Sequence, residues 1–246
     1  MNIRVIFSLL ICSNLSAQVV PDTTERLRIA DEMETTIQQM LHAWYPQNMD
    51  TMYGGFLTEF TYDFKPTSNQ NKFIVTQARH TWSTSKAALR YPNDVYYKTL
   101  AANGYKFLRD VMWDKTYGGF YTMVDRKGNV IDSTKNAYGN AFGIYAIAAY
   151  CQLTNDPDAV YFAQEAFMWL EKHSHDPIRK GYYQHMRRDG TPIQRTANTP
   201  ATAETGYKDQ NSSIHLLEAF TELYAVWPND LLRERFLGKT ECFGIL

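Results

Sequence analysis

The sequence has little of what marks several common protein classes. Its three cysteines are too few for a disulfide-stapled scaffold of 246 residues. Lysine and arginine together number 25, and aspartate and glutamate 26. No excess of either sign therefore attracts the chain to nucleic acid or to an anionic membrane. We expect no nucleic acid among its partners, and the sequence favours no particular oligomeric state.

Motifs that identify several enzyme classes are also missing. The chain contains no glycine-rich phosphate loop, no His-Glu-x-x-His helix and no Gly-x-Ser-x-Gly elbow, which argues against P-loop nucleotide enzymes, zincin proteases and α/β-hydrolases. One group of possible metal ligands, Lys172–Asp176, lies at a predicted helix end beside a turn. We therefore predict neither a metal site nor a cofactor.

A long apolar run is absent, and a short one lies near the N-terminus. Val5–Cys12 follows the positive charge of Arg4, and the small residue Ala17 comes shortly after it. This is the pattern of a secretory signal peptide, and the run is too short to anchor the chain in a bilayer. We expect residues 1–17 to be removed and residues 18–246 to form one domain. The mature protein is then periplasmic or secreted and has no membrane contact.

One short motif occurs three times at a nearly constant interval. Asp50–Phe56 reads Asp-Thr-Met-Tyr-Gly-Gly-Phe, Asp114–Phe120 reads Asp-Lys-Thr-Tyr-Gly-Gly-Phe, and a looser copy begins at Asp176. The steps between the aspartates are 64 and 62 residues. A period of this size is typical of one supersecondary unit per repeat, each of which needs neighbours to bury its apolar face.

Helical patterns lie between the copies of this motif. Apolar residues at steps of three and four from Leu27 to Trp44 predict an amphipathic helix. Further helices are predicted over residues 73–90, 93–112, 137–153, 158–173 and 206–227, whereas residues 237–246 lose the helical pattern. Short strands follow the glycine pairs. We predict an all-α fold, an (α/α)6 toroid with short β-hairpins at one end. Six helix pairs at this period need about 380 residues, so the toroid is incomplete in this chain.

Aromatic residues are abundant, with 17 tyrosines, 13 phenylalanines and 5 tryptophans. Large rings usually fill a core, but rings that line a cleft can stack on sugars. Composition alone leaves both uses open.

Two predicted helices carry candidate ligand-binding groups. Arg79 and Trp82 are three residues apart and share a helix face. An arginine at such a position can hold ligand oxygens by charged hydrogen bonds, and the alternative is a surface arginine with a packed stem. Tyr138 and Asn140 begin another apolar helix and are candidates for a cleft, although core packing explains Tyr138 equally well.

A third helix carries the densest polar pattern in the chain. Asn211, His215, Glu218 and Glu222 fall at positions i, i+4, i+7 and i+11, on one stripe. Four polar groups in a row are costly to bury unless they satisfy one another or a ligand. Histidine is also the side chain best suited to proton transfer near neutral pH. We therefore regard this stripe as functional rather than structural.

These segments resemble a known family. The motif Gln77-Ala-Arg79, the run Tyr138–Tyr150 and above all Asn211–Tyr224 are similar to the N-acylglucosamine 2-epimerase family, and within it to the cellobiose/mannobiose 2-epimerase branch. The turn motifs match as well, and the resemblance extends over residues 25–236. It implies an (α/α)6 barrel with a sugar cleft at one end and a mono- or disaccharide substrate.

The resemblance also implies a reaction and roles for single residues. In this family one histidine removes the C2 proton of an open-chain sugar, an enediolate forms, and a second histidine returns the proton to the other face. No redox cofactor is needed. Arg79 matches the arginine that stabilises the enediolate oxygen, and Tyr138 and Asn211 match sugar-binding positions. His215 matches a further histidine that assists ring opening or holds the sugar. Trp82, Asn140 and Glu218 are candidates for the same pocket.

One departure from the family pattern limits this expectation. The two proton-transfer histidines of the family belong to its second half, beyond Leu246 of this chain. We therefore expect a truncated protein that binds sugar and is inactive alone. Two alternatives on the same toroid stay open. One is a non-catalytic carbohydrate-binding protein. The other is a glycoside hydrolase that uses Asp50, Asp114 and Asp176, although the position of each at a turn favours a capping role.

Overall fold

The computed structural model describes residues 22–45, 47–199 and 206–242. The chain divides into two compact units, Met1–Trp44 and Tyr45–Leu246. The described part of the first unit is helix α1, Thr23–Trp44, which Asp22 caps by accepting a hydrogen bond from the Glu25 backbone N–H (2.8 Å). The predicted helix is therefore confirmed, but its apolar stripe is exposed and no residue of α1 is buried.

The second unit contains six α-helices and five short strands in its described part. The helices are α2 (Ile74–Arg90), α3 (Val95–Phe107), α4 (Ala137–Thr154), α5 (Pro157–His173), α6 (Gln210–Tyr224) and α7 (Asp230–Cys242). A π-helical turn, Leu108–Met112, continues α3. The strands are β1 (Lys72–Phe73), β2 (Met123–Val124), β3 (Val130–Asp132), β4 (Lys135–Asn136) and β5 (His185–Met186).

The helices form two layers. Helices α2, α4 and α6 pack side by side in sequence order, and α3, α5 and α7 pack behind them, against α2, α4 and α6 respectively. The antiparallel sheets β1-β2-β3 and β4-β5 lie where α2 and α4 begin, because β1 and β4 directly precede these helices. The predicted helical hairpins with short β-hairpins at one end are therefore confirmed.

Helix α4 occupies the centre of the inner layer. Its sequence is apolar on all sides, as expected for a helix that neighbours surround. The Asn136 side chain caps its first turn, and Asn155 ends it in the left-handed conformation. Gly143 lies against the ring of Phe120, where a Cβ atom would overlap that ring. The absence of a side chain at Gly143 therefore permits this close approach.

Many aromatic side chains are buried in the hydrophobic core. Tyr105 stacks on Tyr150 with ring centroids 4.3 Å apart, and Phe167 meets Phe220 edge-on at 5.3 Å. Edge-to-face and offset arrangements of this kind are the favoured ones for aromatic pairs. Core packing therefore accounts for much of the aromatic content.

Helix α7 corrects the sequence prediction, in which the regular pattern ended near Pro228 and was lost from Leu237 onwards. The helix extends over Asp230–Cys242. Asn229 starts it by accepting hydrogen bonds from the backbone N–H groups of Leu231 (3.0 Å) and Leu232 (3.3 Å). Leu232 is fully buried in the core. Tertiary packing thus stabilises a helix whose own amphipathic pattern is weak.

The three copies of the repeated motif fold alike. In each copy the aspartate N–H donates to the carbonyl of the second glycine position, at 2.9–3.0 Å. The aspartate Oδ1 accepts the N–H groups of the second and third following residues in all three. The capping role predicted for Asp50, Asp114 and Asp176 is therefore confirmed.

The other carboxylate oxygen of these aspartates anchors a second set of contacts, which we call the turn clamps. Asp50 Oδ2 lies 3.0 Å from Lys72 Nζ and 3.0 Å from Arg126 Nε. Asp114 Oδ2 lies 3.3 Å from Lys135 Nζ and 2.8 Å from Arg188 Nε. In both clamps the lysine comes from the same repeat and the arginine from the hairpin of the next one. The turn clamps therefore tie consecutive repeats together.

The clamp cations keep these buried aspartates ionised. Burial alone raises the pKa of Asp50, but hydrogen bonds from Arg126 and Lys72 outweigh it and lower the pKa to about 2. Burial lowers the pKa of Lys135 to about 8 despite the opposing charge of Asp114. The third clamp differs, since Asp176 Oδ2 accepts from Lys208 Nζ at 2.6 Å and from the Tyr183 hydroxyl at 3.0 Å.

Lys180 offers a simple test of strain in the third turn. It stands where the other copies have Gly54 and Gly118, and it adopts the same left-handed conformation, with φ +60° against +76° and +72°. The left-handed conformation costs a residue with a side chain roughly 1–2 kcal/mol. Replacing that residue with glycine removes the cost, but part of the gain in stability is lost because glycine makes the unfolded chain more flexible. We expect Lys180→Gly to raise the free energy of unfolding by about 0.5–1 kcal/mol in urea denaturation. In the matched control, Gly118→Ala, the added methyl group meets Trp169, so that change should destabilise.

Candidate functional site

The predicted site residues gather around one ring on the inner layer. Phe142 of α4 has the guanidinium carbon of Arg79 (α2) 4.7 Å from its ring centroid and the ring of His215 (α6) at 4.6 Å. The side chain of Phe142 is buried, whereas Arg79 is exposed and His215 partly so. Three helices thus bring one permanent cation and one imidazole to neighbouring positions on the same surface.

His215 is held in place by two neighbours. Its Nδ1 atom lies 2.7 Å from Glu218 Oε2, one turn later on α6. The ring of Tyr138 meets it edge-on with centroids 5.0 Å apart. When the Glu218 carboxylate accepts the Nδ1 proton, the Nε2 atom is the one that can exchange a proton with a ligand. Two members of the predicted polar stripe, His215 and Glu218, therefore form an oriented pair.

A second group of side chains, which we call the lower layer of the site, lies one to two turns further along the same three inner helices. The Trp82 ring stacks on Tyr145 with centroids 4.9 Å apart and planes 14° from parallel. Beyond it, Lys86 of α2 forms an ion pair with Glu222 of α6 and donates to Gln152 Oε1 of α4 at 2.6 Å. Burial and the charges of Glu222 and Glu218 raise the pKa of Tyr145 well above its usual range, so its hydroxyl stays protonated. This layer joins all three inner helices below the Arg79–His215 pair.

Asn140 does not join this group. The residue is 1% exposed. Its Oδ1 accepts the Phe120 backbone N–H at 3.1 Å and its Nδ2 donates to the Asn136 carbonyl at 2.8 Å. Asn140 is two positions after Tyr138, and residues two apart on a helix face different directions. Its geometry supports a structural role in fastening the second turn motif to α4, instead of the sugar contact that we expected.

Asn211 lies at the start of α6, one turn before His215, and is exposed. It therefore stands at the end of the helices that carries the hairpins. Trp82 is partly exposed and lies in the lower layer, against the ring of Tyr145. The structure thus groups Arg79, Trp82, Tyr138, His215 and Glu218, with Asn211 above them.

His80 follows Arg79 in sequence but has a different environment. Its Nδ1 lies 3.0 Å from both the Tyr45 hydroxyl and Asn48 Nδ2, and its ring packs on Phe56. Burial lowers the pKa of His80 to about 4, so the imidazole is neutral at physiological pH. We assign it to the core rather than to the site.

Over the described ranges, no group of three metal-ligating side chains is found, the histidines near Lys172 included. In the same ranges, no helix combines the length and the apolar character needed to cross a bilayer.

Sequence reasoning missed the residues at the middle of this surface. Phe142 links Arg79 to His215, and Lys86 closes the lower layer. A usable signal existed, because Tyr138, Phe142 and Tyr145 repeat at i, i+4 and i+7 just as the polar stripe does on α6. Two matching stripes on separate helices indicate facing or adjacent surfaces.

Residues 54–237 match the family model of N-acylglucosamine 2-epimerase (GlcNAc 2-epimerase). The chain belongs to this family. It is 29% identical to a cellobiose 2-epimerase of Bacteroides fragilis over 197 residues, which are 80% of this chain and 50% of the relative. It is 30% identical to a cellobiose 2-epimerase of Ruminococcus albus, with 76% of this chain and 47% of the relative covered.

Solved structures of this epimerase family agree. The cellobiose 2-epimerase of Spirochaeta thermophila superimposes with a TM-score of 0.78 and 30% identity over 90% of this chain and 55% of that one. The fold is therefore that of the (α/α)6 epimerases, and this chain spans about half the length of the relatives it matches. A family 76 glycoside hydrolase from a Bacteroides thetaiotaomicron strain has a TM-score of 0.64 at 19% identity, a likeness of fold alone.

The turn clamps argue against the alternative of a glycoside hydrolase. A glycosidase needs two carboxyl groups that reach the scissile bond. Asp50 and Asp114 have fully buried side chains that the turn clamps occupy. Two of the carboxylates considered for hydrolysis are therefore part of the scaffold.

Proposed function

We propose that this chain provides the sugar-binding side of a carbohydrate 2-epimerase site. The substrate that fits best is a disaccharide with a free reducing end, such as cellobiose or mannobiose. The observation that carries the proposal is that Arg79 and His215 flank the ring of Phe142, with His215 held by Glu218. The cellobiose 2-epimerases among the relatives support the same substrate class.

Each group has a task in such a reaction. The Nε2 atom of His215 can pass a proton to or from the hemiacetal oxygens, which opens the ring and exposes the aldehyde. The aldehyde makes the C2 proton acidic, and its loss puts negative charge on the C1 oxygen. Arg79 can stabilise that charge through its guanidinium N–H groups. Tyr138, Trp82 and Asn211 border this position and are suited to hold the sugar ring and its hydroxyls.

Inversion at C2 needs a base on each face of the sugar. Among the described residues, the oriented base of this surface is His215, which can face only one side of a bound sugar. We therefore expect this chain alone to bind sugar and to be inactive as an epimerase.

The test uses the purified chain in deuterated water. With cellobiose or mannobiose, calorimetric titration should give a measurable heat of binding, and NMR should detect no deuterium at C2. Trehalose, a disaccharide without a reducing end, is the matched control and should bind more weakly. Equal binding of trehalose would contradict recognition of the reducing end, and deuterium at C2 would contradict inactivity.

We also propose that the protein is exported, to the periplasm or out of the cell. The support is the pattern of residues 1–17, which lie outside the described residues. N-terminal sequencing of the protein purified from its producing cell should begin near Gln18.

A further inference from the structure

The outer layer carries a groove that the candidate site does not use. The groove has a volume of about 560 Å³ and lies between the second turn motif and the outward side of α5. Side chains of α5 line it over residues 161–173, so it follows the helix for roughly 18 Å. The candidate site, by contrast, lies on the inner helices α2, α4 and α6. The two surfaces therefore belong to different layers of the second unit.

Trp169 gives this outer groove a fixed base. Its indole N–H donates to the Tyr117 carbonyl at 2.7 Å. Its ring lies so close to Gly118 and Gly119 that a Cβ atom at either position would overlap it, and the ring of His173 stacks on it with centroids 4.8 Å apart. These contacts fasten the turn motif to α5. The outer groove is therefore preformed, as small-molecule sites usually are.

Two tyrosines from different elements present their rings at the outer groove. Tyr117 of the turn motif is 47% exposed, and Tyr161, near the start of α5, is 69% exposed. The Arg188 guanidinium, bound to Asp114, lies over the Tyr117 ring at 5.4 Å and steadies it. A tyrosine ring offers a large, rigid apolar face with a polar tip. Exposed rings of this kind are suited to stack on the apolar faces of sugar rings.

The polar groups of the outer groove suit a neutral ligand that is rich in hydroxyl groups. Gln164, Glu165 and Lys172 line it, and their side chains form no hydrogen bond or ion pair with another described residue. The other charges there are engaged, since Lys115 donates to a backbone carbonyl at 2.6 Å and Asp114 belongs to a turn clamp. The free groups thus comprise one cation, one anion and one amide. Hydroxyl groups both donate and accept hydrogen bonds, whereas a nucleic-acid backbone needs an excess of cations.

The first repeat has a corresponding groove, but that groove is smaller and its polar groups are paired. It has a volume of about 270 Å³ and lies between Tyr53 and the end of α3. Asn103 exchanges hydrogen bonds with the Gly55 backbone at 3.2 and 2.8 Å, and Asp110 forms an ion pair with Arg109 at 2.7 Å. The outer groove of the second repeat therefore differs in its volume and in its unpaired polar side chains.

We propose that the outer groove binds a neutral oligosaccharide. The rings of Tyr117 and Tyr161 stack on its sugars, and the polar groups between them bind its hydroxyl groups. Because the groove follows the helix, a chain of several sugars can lie along it. No reducing end is involved, so this binding is independent of the site proposed on the inner layer.

The experiment uses oligosaccharides whose reducing ends have been removed. Borohydride reduction of cellotetraose and mannotetraose gives chains without an aldehyde, which lack the group that the inner site would recognise. In a ¹H–¹⁵N NMR titration, at least one chain should shift the Trp169 indole N–H signal saturably, because this group lies at the base of the groove. Trp169→Phe assigns the signal. Tyr117→Ala and Tyr161→Ala should each raise the Kd at least about fivefold.

The matched control is Tyr53→Ala, which removes the arginine-covered tyrosine of the first turn motif and should leave the Kd unchanged. Circular dichroism checks that each variant is folded, and the exposed position of Tyr161 keeps that variant informative if Tyr117→Ala is unstable.

Three results would overturn the proposal. One is the absence of a saturable shift with either chain. Another is equal weakening by Tyr53→Ala and by the two groove variants. The third is loss of binding in Arg79→Ala, which would place the chains on the inner layer. A proline-rich peptide, the other ligand class that aromatic grooves bind, is tested in parallel. A shift with the peptide and with neither chain would assign the groove to peptides instead.

Discussion

Asp114→Asn should lower the free energy of unfolding by about 3–5 kcal/mol, the usual cost of removing one partner from a buried ion pair. The side chains of Asp114 and Lys135 are both fully buried, so water cannot solvate the lysine charge that is left without its partner. Natural domains have a net stability of roughly 5–15 kcal/mol, and the variant therefore loses a large share of it. Urea denaturation followed by circular dichroism measures the loss.

The pH dependence of this loss identifies its cause. In the variant, the folded-state pKa of Lys135 lies below the value of an unfolded lysine, because burial lowers it and the opposing charge is gone. The unfolded chain then binds more protons than the folded one, so the variant gains stability as the pH rises. The destabilisation should be smaller at mildly alkaline pH than at neutral pH.

Two further variants separate charge from packing. Adding Lys135→Met to Asp114→Asn removes the stranded cation and should recover part of the stability. The control Asp125→Asn changes a partly exposed carboxylate of a hairpin turn, whose Oδ1 accepts the Lys127 backbone N–H at 2.8 Å. An asparagine oxygen can keep that hydrogen bond, so stability should change by no more than about 1 kcal/mol. If Asp114→Asn and Asp125→Asn behave alike, the turn clamps do not contribute as we describe.

Arg79→Ala should weaken the binding of cellobiose or mannobiose at least tenfold, corresponding to about 1.5–3 kcal/mol for hydrogen bonds to a charged group. The fold should be unaffected, because Arg79 is exposed and its described contact is the ring face of Phe142. Arg79→Lys keeps the charge but loses the planar fork of donors, so it should give an intermediate affinity. Calorimetric titration measures all three proteins.

The control for this series is Lys98→Ala, which removes a positive charge from an exposed position on the outer helix α3. Its affinity for the disaccharides should equal that of the parent protein. Unchanged binding by a folded Arg79→Ala variant would place the sugar elsewhere on the chain.

Local patterns were sufficient to predict much of this fold. Helices α2, α4 and α5 follow the predicted boundaries closely, because apolar periodicity and turn residues act within a few positions. The turn motifs are recognisable because nearly the same residues recur at a nearly constant interval. Helix α7 was missed, since its decisive contact, the burial of Leu232, is tertiary.

The candidate site was predictable where one helix carried the whole signal. The stripe from Asn211 to Glu222 placed His215 beside Glu218 correctly. The ring of Phe142 was not identified, because its role depends on residues of two other helices. The turn clamps were equally out of reach, since Arg126 is 76 residues from Asp50 in sequence. Contacts between residues this far apart in sequence produce no periodic pattern from which they could be predicted.

The turn clamps also determine how this protein can be divided. The first two receive their arginine from the following repeat, so a cut directly after the turn motif separates Asp50 from Arg126, or Asp114 from Arg188. A transplantable module would instead run from one hairpin tip to the next and carry both halves of a clamp. Attempts to shuffle or duplicate segments of such rings should place their crossover points after the hairpin arginine.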